Sequence, residues 1–365
     1  MHHTCLVLIF LCLNSICIAD NIYVRHPLTK GAIIVTLAGQ DYLADYFRWS
    51  CMSVDAASDH FDMLVFHESN RRVNDIRCAP NVKFIDLGPD GLASLVVNTV
   101  LGSPGLSSVH STQREAVLSL VQQVIRNIPR YLVEIKPMSG HMFQDYIKDY
   151  SHWTYTDPDI VWGHLSDWID YDTVADFEIC TSGKLSDAGR LFIRGQFALH
   201  RNSEPTNSLW KELEYFTSVS LAERMGNAVQ QIEEARREGK LSGNGAKRVL
   251  ELVFIRNFHS AEGWYSRAVF ESPQRPRVLI MSLGFNDFEK MPVLLYKRKL
   301  LRCESKELEY CLEYAQEPKY MDDMSKAISS QKMLANGQKQ AGKITPGMVK
   351  WDRKVGHTVP WAFQS

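Results

Sequence analysis

The sequence lacks several features that would assign a protein to a particular functional class. It has no surplus of either charge, because 41 Lys and Arg residues face 42 Asp and Glu residues, for a formal net charge of −1. A nucleic-acid-binding role is therefore not indicated, since such binding depends on a basic surface. No pair of cysteines has the spacing of a zinc site, no Asn-x-Ser/Thr sequon is present, and no internal repeat occurs.

The chain also lacks an apolar run of the usual transmembrane length. The N-terminal run, residues 5–19, has about 15 residues, whereas a spanning helix needs about 20. It ends in Cys17-Ile18-Ala19, which offers the small residues typical of a signal-peptidase site. We expect residues 1–19 to be a signal peptide, with an uncleaved signal anchor as the alternative. Either form delivers the protein to the secretory pathway, for the Golgi lumen or secretion, and only the anchor would keep it at the membrane.

Five cysteines follow this N-terminal segment, namely Cys51, Cys78, Cys180, Cys303 and Cys311. An odd number in an oxidising compartment leaves at least one thiol unpaired or paired between chains. Cys303 and Cys311 are predicted to form a disulfide, because they are close in sequence and lie in a polar stretch.

The remaining sequence alternates between strand and helix patterns. The opening of this region predicts strands over Gly31–Leu37, Phe61–Phe66 and Val82–Asp86, with a helix over Asp41–Met52 after the first. This alternation predicts an α/β sandwich with a mostly parallel sheet. Residues 20–318 are expected to form one domain, and residues 319–365, rich in Lys, Gln, Gly and Ser, a loosely ordered extension. Further helices are predicted over Ser111–Asn127, Gly140–Tyr150, His164–Ile169 and Thr206–Arg237, and further strands over Phe177–Cys180, Leu191–Ile193, Phe197–His200, Val249–Phe254, Val278–Ser282 and Val293–Tyr296.

Two aspartates follow an aromatic, strand-like run in the middle of the chain. Asp157 and Asp159 are separated by Pro158. On an extended backbone their side chains lie on the same side, and the proline restricts the backbone between them. Such a pair of carboxylates can bind Mg²⁺ or Mn²⁺ and leave coordination sites open for phosphates. The alternative is a simple turn, since Asp and Pro are both common in turns.

The residues around this pair form a longer pattern. A Lys-Pro pair, a helix ending in a Tyr-rich stretch and a Trp-x-x-x-Asp-x-Asp strand end follow one another, and a later strand closes on an Arg-Asn pair. The pattern resembles a poorly characterised, mostly microbial family of GT-A-fold glycosyltransferases, over roughly residues 31–202. The positions that carry the resemblance are Lys136, Pro137, Gly140, Tyr146, Trp153, Asp157, Asp159, Gly163, Arg201 and Asn202, with Gly39 after the first strand.

The resemblance implies a GT-A-like αβα sandwich and a divalent metal, Mn²⁺ or Mg²⁺, that binds the diphosphate of a nucleotide-sugar donor. Asp159 would coordinate this ion directly, and Asp157 would bind it through water or hold hydroxyl groups of the donor. Ligands of open α/β sheets bind outside the carboxyl ends of the strands, so the donor is expected at the Asp pair.

Other residues are candidates for donor binding, and each has a structural alternative. Lys136 is a candidate phosphate contact or a simple helix boundary. Gly39 would let the backbone approach the base or ribose, or would only form a turn. Trp153 and Tyr155 would stack on donor rings or belong to the core. Arg194 is a candidate phosphate ligand or the member of a surface ion pair.

The remaining candidates serve the metal and the acceptor. His200 and His259 are candidates for a third metal ligand, with a structural role as the alternative. Glu262 is the candidate base that would accept the proton of an acceptor hydroxyl in an inverting transfer, and the alternative is a surface turn residue. Arg201 is a second candidate phosphate ligand.

Together these observations predict a metal-dependent glycosyltransferase of the secretory pathway. Its donor would be a UDP- or GDP-linked sugar, and its acceptor a glycan or a protein. A non-catalytic carbohydrate-binding or scaffold protein on the same fold is the rival, because a fold does not fix a function. Metal-dependent hydrolysis of a nucleotide sugar is a third possibility.

Overall fold

The computed structural model describes residues 26–39, 43, 45–102, 110–163, 165–167, 169–182, 193–258, 261–281, 293–296, 299–303 and 311–313. The predicted signal peptide and the predicted C-terminal extension lie outside these residues. No helix in the described ranges has both the length and the apolar character needed to cross a membrane.

The described residues form alternating strands and helices, with short 3-10 helices between them. The strands are β1 Gly31–Leu37, β2 Phe61–His67, β3 Val82–Asp86, β4 His152–Thr156, β5 Ile179–Ser182, β6 Phe197–Arg201, β7 Val278–Met281, β8 Val293–Tyr296, β9 Lys299–Cys303 and β10 Cys311–Glu313. The α-helices are α1 Asp45–Ser53, α2 Gly91–Leu101, α3 Ser111–Asn127, α4 Ser139–Met142, α5 Gln144–Ile147, α6 Tyr171–Val174, α7 Glu204–Ser208, α8 Ser218–Arg237, α9 Ala246–Phe258 and α10 Ala261–Glu271. The 3-10 helices include Val54–Ala57, Arg71–Asp75, Pro129–Val133, Lys136–Met138, Leu165–Asp167, Leu209–Glu212, Glu214–Phe216 and Gly243–Gly245.

The first seven strands form one sheet in the order β3-β2-β1-β4-β6-β5-β7. The neighbouring pairs from β3 to β4 are parallel, as are β5 and β7, whereas β6 runs antiparallel to both β4 and β5. Because of this reversal, the start of β6 lies beside the end of β4, where Thr156 pairs with Phe197. The loops after β1 and β4 and the loop before β6 therefore meet at one edge, called here the carboxyl edge. β8, β9 and β10 form a second, antiparallel sheet.

Side chains from both faces of the sheet are buried under helices. On one face, Ile34 and Phe66 pack in a core with apolar residues of α2, α3, α8, α9 and α10. On the other face, Ile33 and Val65 pack with apolar residues of α1 and of residues 162–174. Two-sided burial explains why β1 and β2 are almost continuously apolar. The predicted αβα sandwich with a mostly parallel sheet is confirmed, and it is the architecture that the GT-A resemblance implies.

Most predicted strands of the main sheet agree with the structure within two residues, but one predicted strand is wrong. Residues 249–254 belong to α9. In that helix Val253, Phe254 and Phe258 are buried, whereas Leu252 and Ile255 are exposed. The three buried residues are spaced by one and four positions, as on one face of a helix. The helical pattern of the whole segment therefore outweighs the strand-like run at residues 249–254.

Three other segments also depart from the predictions. The helix predicted over Gly140–Tyr150 is divided into α4 and α5 at Phe143, whose ring stacks on Phe66 with centroids 4.0 Å apart. α2 occupies most of a stretch, residues 92–108, for which the sequence predicts no element. Of the strand predicted over Leu191–Ile193, only Ile193 lies in the described part of the chain, and it is not in a strand.

The cysteine pairs are only partly as predicted. Cys51 in α1 forms a disulfide with Cys78, which the sequence had not indicated. Cys180 is a buried free thiol. The register of β9 and β10 places Cys303 directly opposite Cys311, so the backbone is compatible with the predicted bridge, which stays a prediction. With these two pairs, Cys180 would be the odd cysteine that the count requires.

We expect Gly140→Ala to destabilise the protein by about 2 kcal/mol, as is usual for an overpacked core. A Cβ atom on Gly140 would lie 2.5 Å from the Trp153 ring and 2.6 Å from Oδ1 of Asn207. The Trp153 ring cannot withdraw, because it is fully buried and its indole nitrogen donates to Asn207 at 2.7 Å. Urea unfolding tests this, with Gly226→Ala in α8 as the control. Nothing lies within 4 Å of a Cβ there, so the control should be neutral or stabilising.

Candidate functional site

The candidate site lies at the carboxyl edge of the main sheet. β1 and β4 are neighbours, with Ile34 opposite Tyr155, so the residues that follow these two strands emerge side by side. Asp157 comes directly after β4, and Gly39 follows β1 by two residues. The loop before β6 reaches the same edge and contains Gly195. The structure therefore brings together segments that are more than 150 residues apart in the sequence.

Lys136 joins two of these segments, the turn after β4 and the loop before β6. It begins the 3-10 helix Lys136–Met138 and is almost wholly buried. Its ammonium group donates to the Asp157 carboxylate and, at 2.6 Å, to the Gly195 carbonyl oxygen. Its Nζ also lies 5.8 Å from the centre of the Tyr155 ring. A buried charge needs partners of this kind, because desolvation without a counter-charge is costly.

Asp157 and Asp159 lie in the turn that follows β4 and present two carboxylates at the edge. The turn and the carboxylate pair are thus compatible interpretations of the same residues. Asp159 is exposed, and partial desolvation together with the negative charge of Asp157 raises the pKa of Asp159, while Lys136 opposes the shift. A divalent cation would relieve this repulsion and would find the oxygen ligands it prefers, so the pair fits a hard metal ion. In the described ranges, no group of three or more His, Cys, Asp and Glu side chains is placed to hold a metal ion.

Glu262 reaches the same cluster from the first turn of α10, and not from a surface turn. A Cβ atom on Gly195 would lie 1.7 Å from Oε1 of Glu262, so this carboxylate packs directly against the Gly195 backbone. Burial raises the pKa of Glu262, and the charge of Asp157 adds to this shift. The charges of Lys136 and Arg194 and a hydrogen bond from Gly195 lower it.

Gly39 is held in a left-handed conformation, with φ of 86°. Its carbonyl oxygen accepts from the Asn70 amide at 3.1 Å, and its N–H donates to the buried carboxylate of Glu68. Glu68 also accepts from the N–H of Leu92, in the first turn of α2, at 3.0 Å. Sequence analysis missed Glu68 and Asn70. Their signal is the polar run directly after β2, at the end of a buried strand.

Two predicted ligand-binding residues lie in the core instead. Trp153 and His200 are fully buried, and their rings stack with centroids 4.1 Å apart and an interplanar angle of 4°. Burial also lowers the pKa of His200 to about 3. The predictions that Trp153 stacks on a donor and that His200 binds a metal are wrong, because both side chains lie several residues back from the carboxyl edge. Tyr155 is similarly buried, beneath Lys136.

The other predicted residues divide between the site and the opposite edge. Arg194 precedes Gly195, and its charge lowers the pKa of Glu262, so it belongs to the site. Its backbone N–H donates to Thr181 at 3.0 Å. Arg201 is at the far end of β6, where it donates to Glu178 at 2.9 Å, so the prediction of a phosphate ligand is wrong. His259 lies outside the described residues.

We expect Gly195→Ala to displace the Glu262 side chain while leaving the fold intact. The clash falls on the flexible end of Glu262, which can rotate away, so the loss of stability should be about 1 kcal/mol or less. Urea unfolding measures this loss. A crystal structure of the variant would show whether Glu262 has left the cluster. An unmoved Glu262 with wild-type stability would contradict the close packing described above.

One family model matches part of the sequence. The model of a family of unknown function (DUF6625) matches residues 108–228, a range that includes Lys136, Asp157, Asp159 and Gly195. No curated protein matches the chain.

Solved structures with similarity to this chain include several glycosyltransferases. The PaToxG glycosyltransferase is 12% identical, with 73% of this chain and 76% of that chain covered and a TM-score of 0.30. The galactosyltransferase LgtC, in complex with donor and acceptor sugar analogs, is 14% identical over 61% and 70% of the two chains, with a TM-score of 0.25. The glycosyltransferase GlyE of Streptococcus pneumoniae is 13% identical over 82% and 64%, with a TM-score of 0.25.

Proposed function

We propose that this protein is a metal-dependent glycosyltransferase that transfers a sugar from a nucleotide-sugar donor to a glycan or protein acceptor. The observation that carries the proposal is the charged cluster at the carboxyl edge. It contains the carboxylates of Asp157, Asp159 and Glu262 and the cationic groups of Lys136 and Arg194. Clusters of mixed charge in a partly buried site are typical of sites that bind and transfer charged groups.

The proposed division of labour follows from exposure and partners. Asp159 is exposed and would be the direct ligand of Mn²⁺ or Mg²⁺, whereas Asp157 is already bound to Lys136 and would contact the metal or the donor with its remaining oxygen. When bound, the ion would stabilise the negative charge of the departing diphosphate. Arg194 is placed to contact the diphosphate, and the Lys136 ammonium holds Asp157 in position.

Glu262 is the candidate base for the acceptor hydroxyl. Its raised pKa and its position beside Asp157 suit a carboxylate that takes up a proton during the reaction. Gly39 would admit the base or ribose to the neighbouring strand end, since a Cβ there would meet nothing within 4 Å.

We also propose that the protein functions in the secretory pathway, in the Golgi lumen or after secretion. The Cys51–Cys78 disulfide supports this location, because structural disulfides are typical of oxidising compartments.

A donor panel tests the proposed function. Purified protein is incubated with UDP- and GDP-sugars, with Mn²⁺ or with EDTA, and released nucleoside diphosphate is measured with and without mixed glycan acceptors. We expect release from one donor that needs the metal and rises on addition of an acceptor. Release that ignores acceptors would favour hydrolysis, and an absence of both release and nucleotide binding would favour the non-catalytic rival.

A further inference from the structure

A second buried carboxylate, Glu134, lies behind the candidate site. It is 5% exposed and precedes Lys136 by two residues. Its Oε2 accepts from the N–H of Ala261 at 3.0 Å, and the Tyr215 hydroxyl lies 2.7 Å from the same oxygen. Ala261 is the first residue of α10, and Glu262 is the second. One carboxylate therefore connects the segment that contains Lys136 to the helix that contains Glu262.

The same contacts reach the end of the preceding helix. The Tyr215 hydroxyl also lies 2.9 Å from the carbonyl oxygen of Phe258, the last residue of α9. The carboxylate of Glu134 and this carbonyl thus both face one hydroxyl, which has a single proton to donate. A protonated Glu134 would remove the conflict, because its own proton could be donated to the Tyr215 oxygen.

We propose that Glu134 is a positioning residue that holds the first turn of α10, and with it Glu262, against the Lys136 segment. The expected effect on catalysis rests on the proposed function, whereas the contact between Glu134 and α10 does not depend on that function. A backbone N–H group at the start of a helix has no acceptor within the helix, and when it is buried it needs one elsewhere. For Ala261 this acceptor is Glu134.

The electrostatic setting agrees with this geometry. The pKa of Glu134 is raised to about 7, chiefly by burial. The charge of Glu262 contributes to this rise, whereas the hydrogen bonds from Tyr215 and Ala261 and the charge of Arg224 oppose it. Tyr131 is a further titratable neighbour, and its pKa is raised by burial and by the negative charge of Glu134 and lowered by the charge of Arg224. Because the folded-state pKa exceeds the ordinary value near 4.5, Glu134 favours the folded state at low pH. That contribution is lost as the pH rises through about 7.

Glu134→Gln and Glu134→Ala separate positioning from general packing. Glutamine can keep an oxygen at the position where Oε2 of Glu134 accepts from the Ala261 N–H, and like the protonated acid it carries no charge. Hydrogen exchange of a peptide spanning residues 261–271 should be at least about tenfold faster in Glu134→Ala and close to wild type in Glu134→Gln. Leu221→Ala, a fully buried residue of α8, is the control that destabilises the core without touching α10 selectively.

Turnover and pH give two further readouts. With the donor found active, kcat should fall at least about tenfold in Glu134→Ala while donor binding changes little, and Glu134→Gln should restore it. The stability of Glu134→Gln relative to wild type should increase from pH 5 to pH 8, because only the wild type has the carboxyl group to deprotonate.

The outcomes are distinct. Unchanged exchange at the start of α10 in Glu134→Ala, or a Glu134→Gln variant as defective as Glu134→Ala, would overturn the positioning role. The exchange measurement needs no donor. It therefore decides this inference even where the wild-type protein proves inactive toward every donor, a result that would overturn the proposed function alone.

Discussion

Lys136→Met is expected to lower the free energy of unfolding by about 2–3 kcal/mol and to abolish any transferase activity. Removal of one partner of a buried ion pair costs roughly 3–5 kcal/mol, since the other charge is left uncompensated. The Lys136 side chain is 9% exposed, but that of Asp157 is 27% exposed, which reduces the expected loss. The substitution also leaves the carboxylates of Asp157 and Glu262 without the ammonium group between them.

Urea unfolding of two further variants controls this experiment. Lys211→Met makes the same chemical change at an exposed position and should alter stability by about 0.5 kcal/mol or less. The double variant Lys136→Met/Asp157→Asn should be more stable than Lys136→Met alone, because it removes the uncompensated carboxylate. A double variant no more stable than the single one would contradict the assigned pairing.

Asp159→Asn is expected to reduce metal-dependent nucleotide binding by about 100-fold or more while leaving the fold intact. Loss of residues that only support a metal ligand already costs 10–100-fold, so loss of a direct ligand should cost at least as much. Asn keeps the shape of the side chain but removes one charged oxygen. Without metal, the variant should unfold at the wild-type temperature or slightly above it, because the repulsion from Asp157 is relieved.

Asp149→Asn is the matched control for this variant. Asp149 is also an exposed aspartate, but it lies before β4, at the opposite end of the same strand. It should bind nucleotide and metal as the wild type does. If Asp159→Asn also retained full metal-dependent binding, Asp159 would not be a metal ligand.

The sheet could be predicted because its strands are buried on both faces. Gly31–Leu37 is apolar except at Thr36, and the strand in the structure has the predicted bounds. The α9 segment could not be predicted in the same way, because Val249–Phe254 is apolar except at Glu251 and has a length that suits a strand. Only Phe258 beyond it reveals the helical spacing. Short apolar runs remain ambiguous until their neighbours are included.

The candidate site could be predicted in part for a similar reason. Asp157, Asp159 and Lys136 stand at the ends or starts of elements that sequence patterns identify, so their common edge follows from the parallel sheet. The contacts of Glu262 with Gly195 and of Glu134 with Ala261 join residues 67 and 127 positions apart. No periodicity encodes such pairs, because they depend on how α10 packs on the sheet.

For Trp153 the sequence predicted a ligand contact that the structure does not support. Its place in a motif beside two aspartates suggests a ligand contact, but every residue of β4 is buried and the Trp153 ring packs closely on Gly140. Gly140 is part of the family resemblance, and the structure explains it by close packing on Trp153. A motif residue can therefore serve the fold directly beside residues that form the site.

Isothermal titration calorimetry of the wild-type protein with UDP and with GDP, in Mn²⁺ and in EDTA, tests the central claim most directly. We predict that one nucleotide binds in the presence of Mn²⁺ and that its binding is lost in EDTA. Binding of equal affinity in both conditions, or no binding of either nucleotide in Mn²⁺, would contradict a metal-dependent donor site at Asp157 and Asp159.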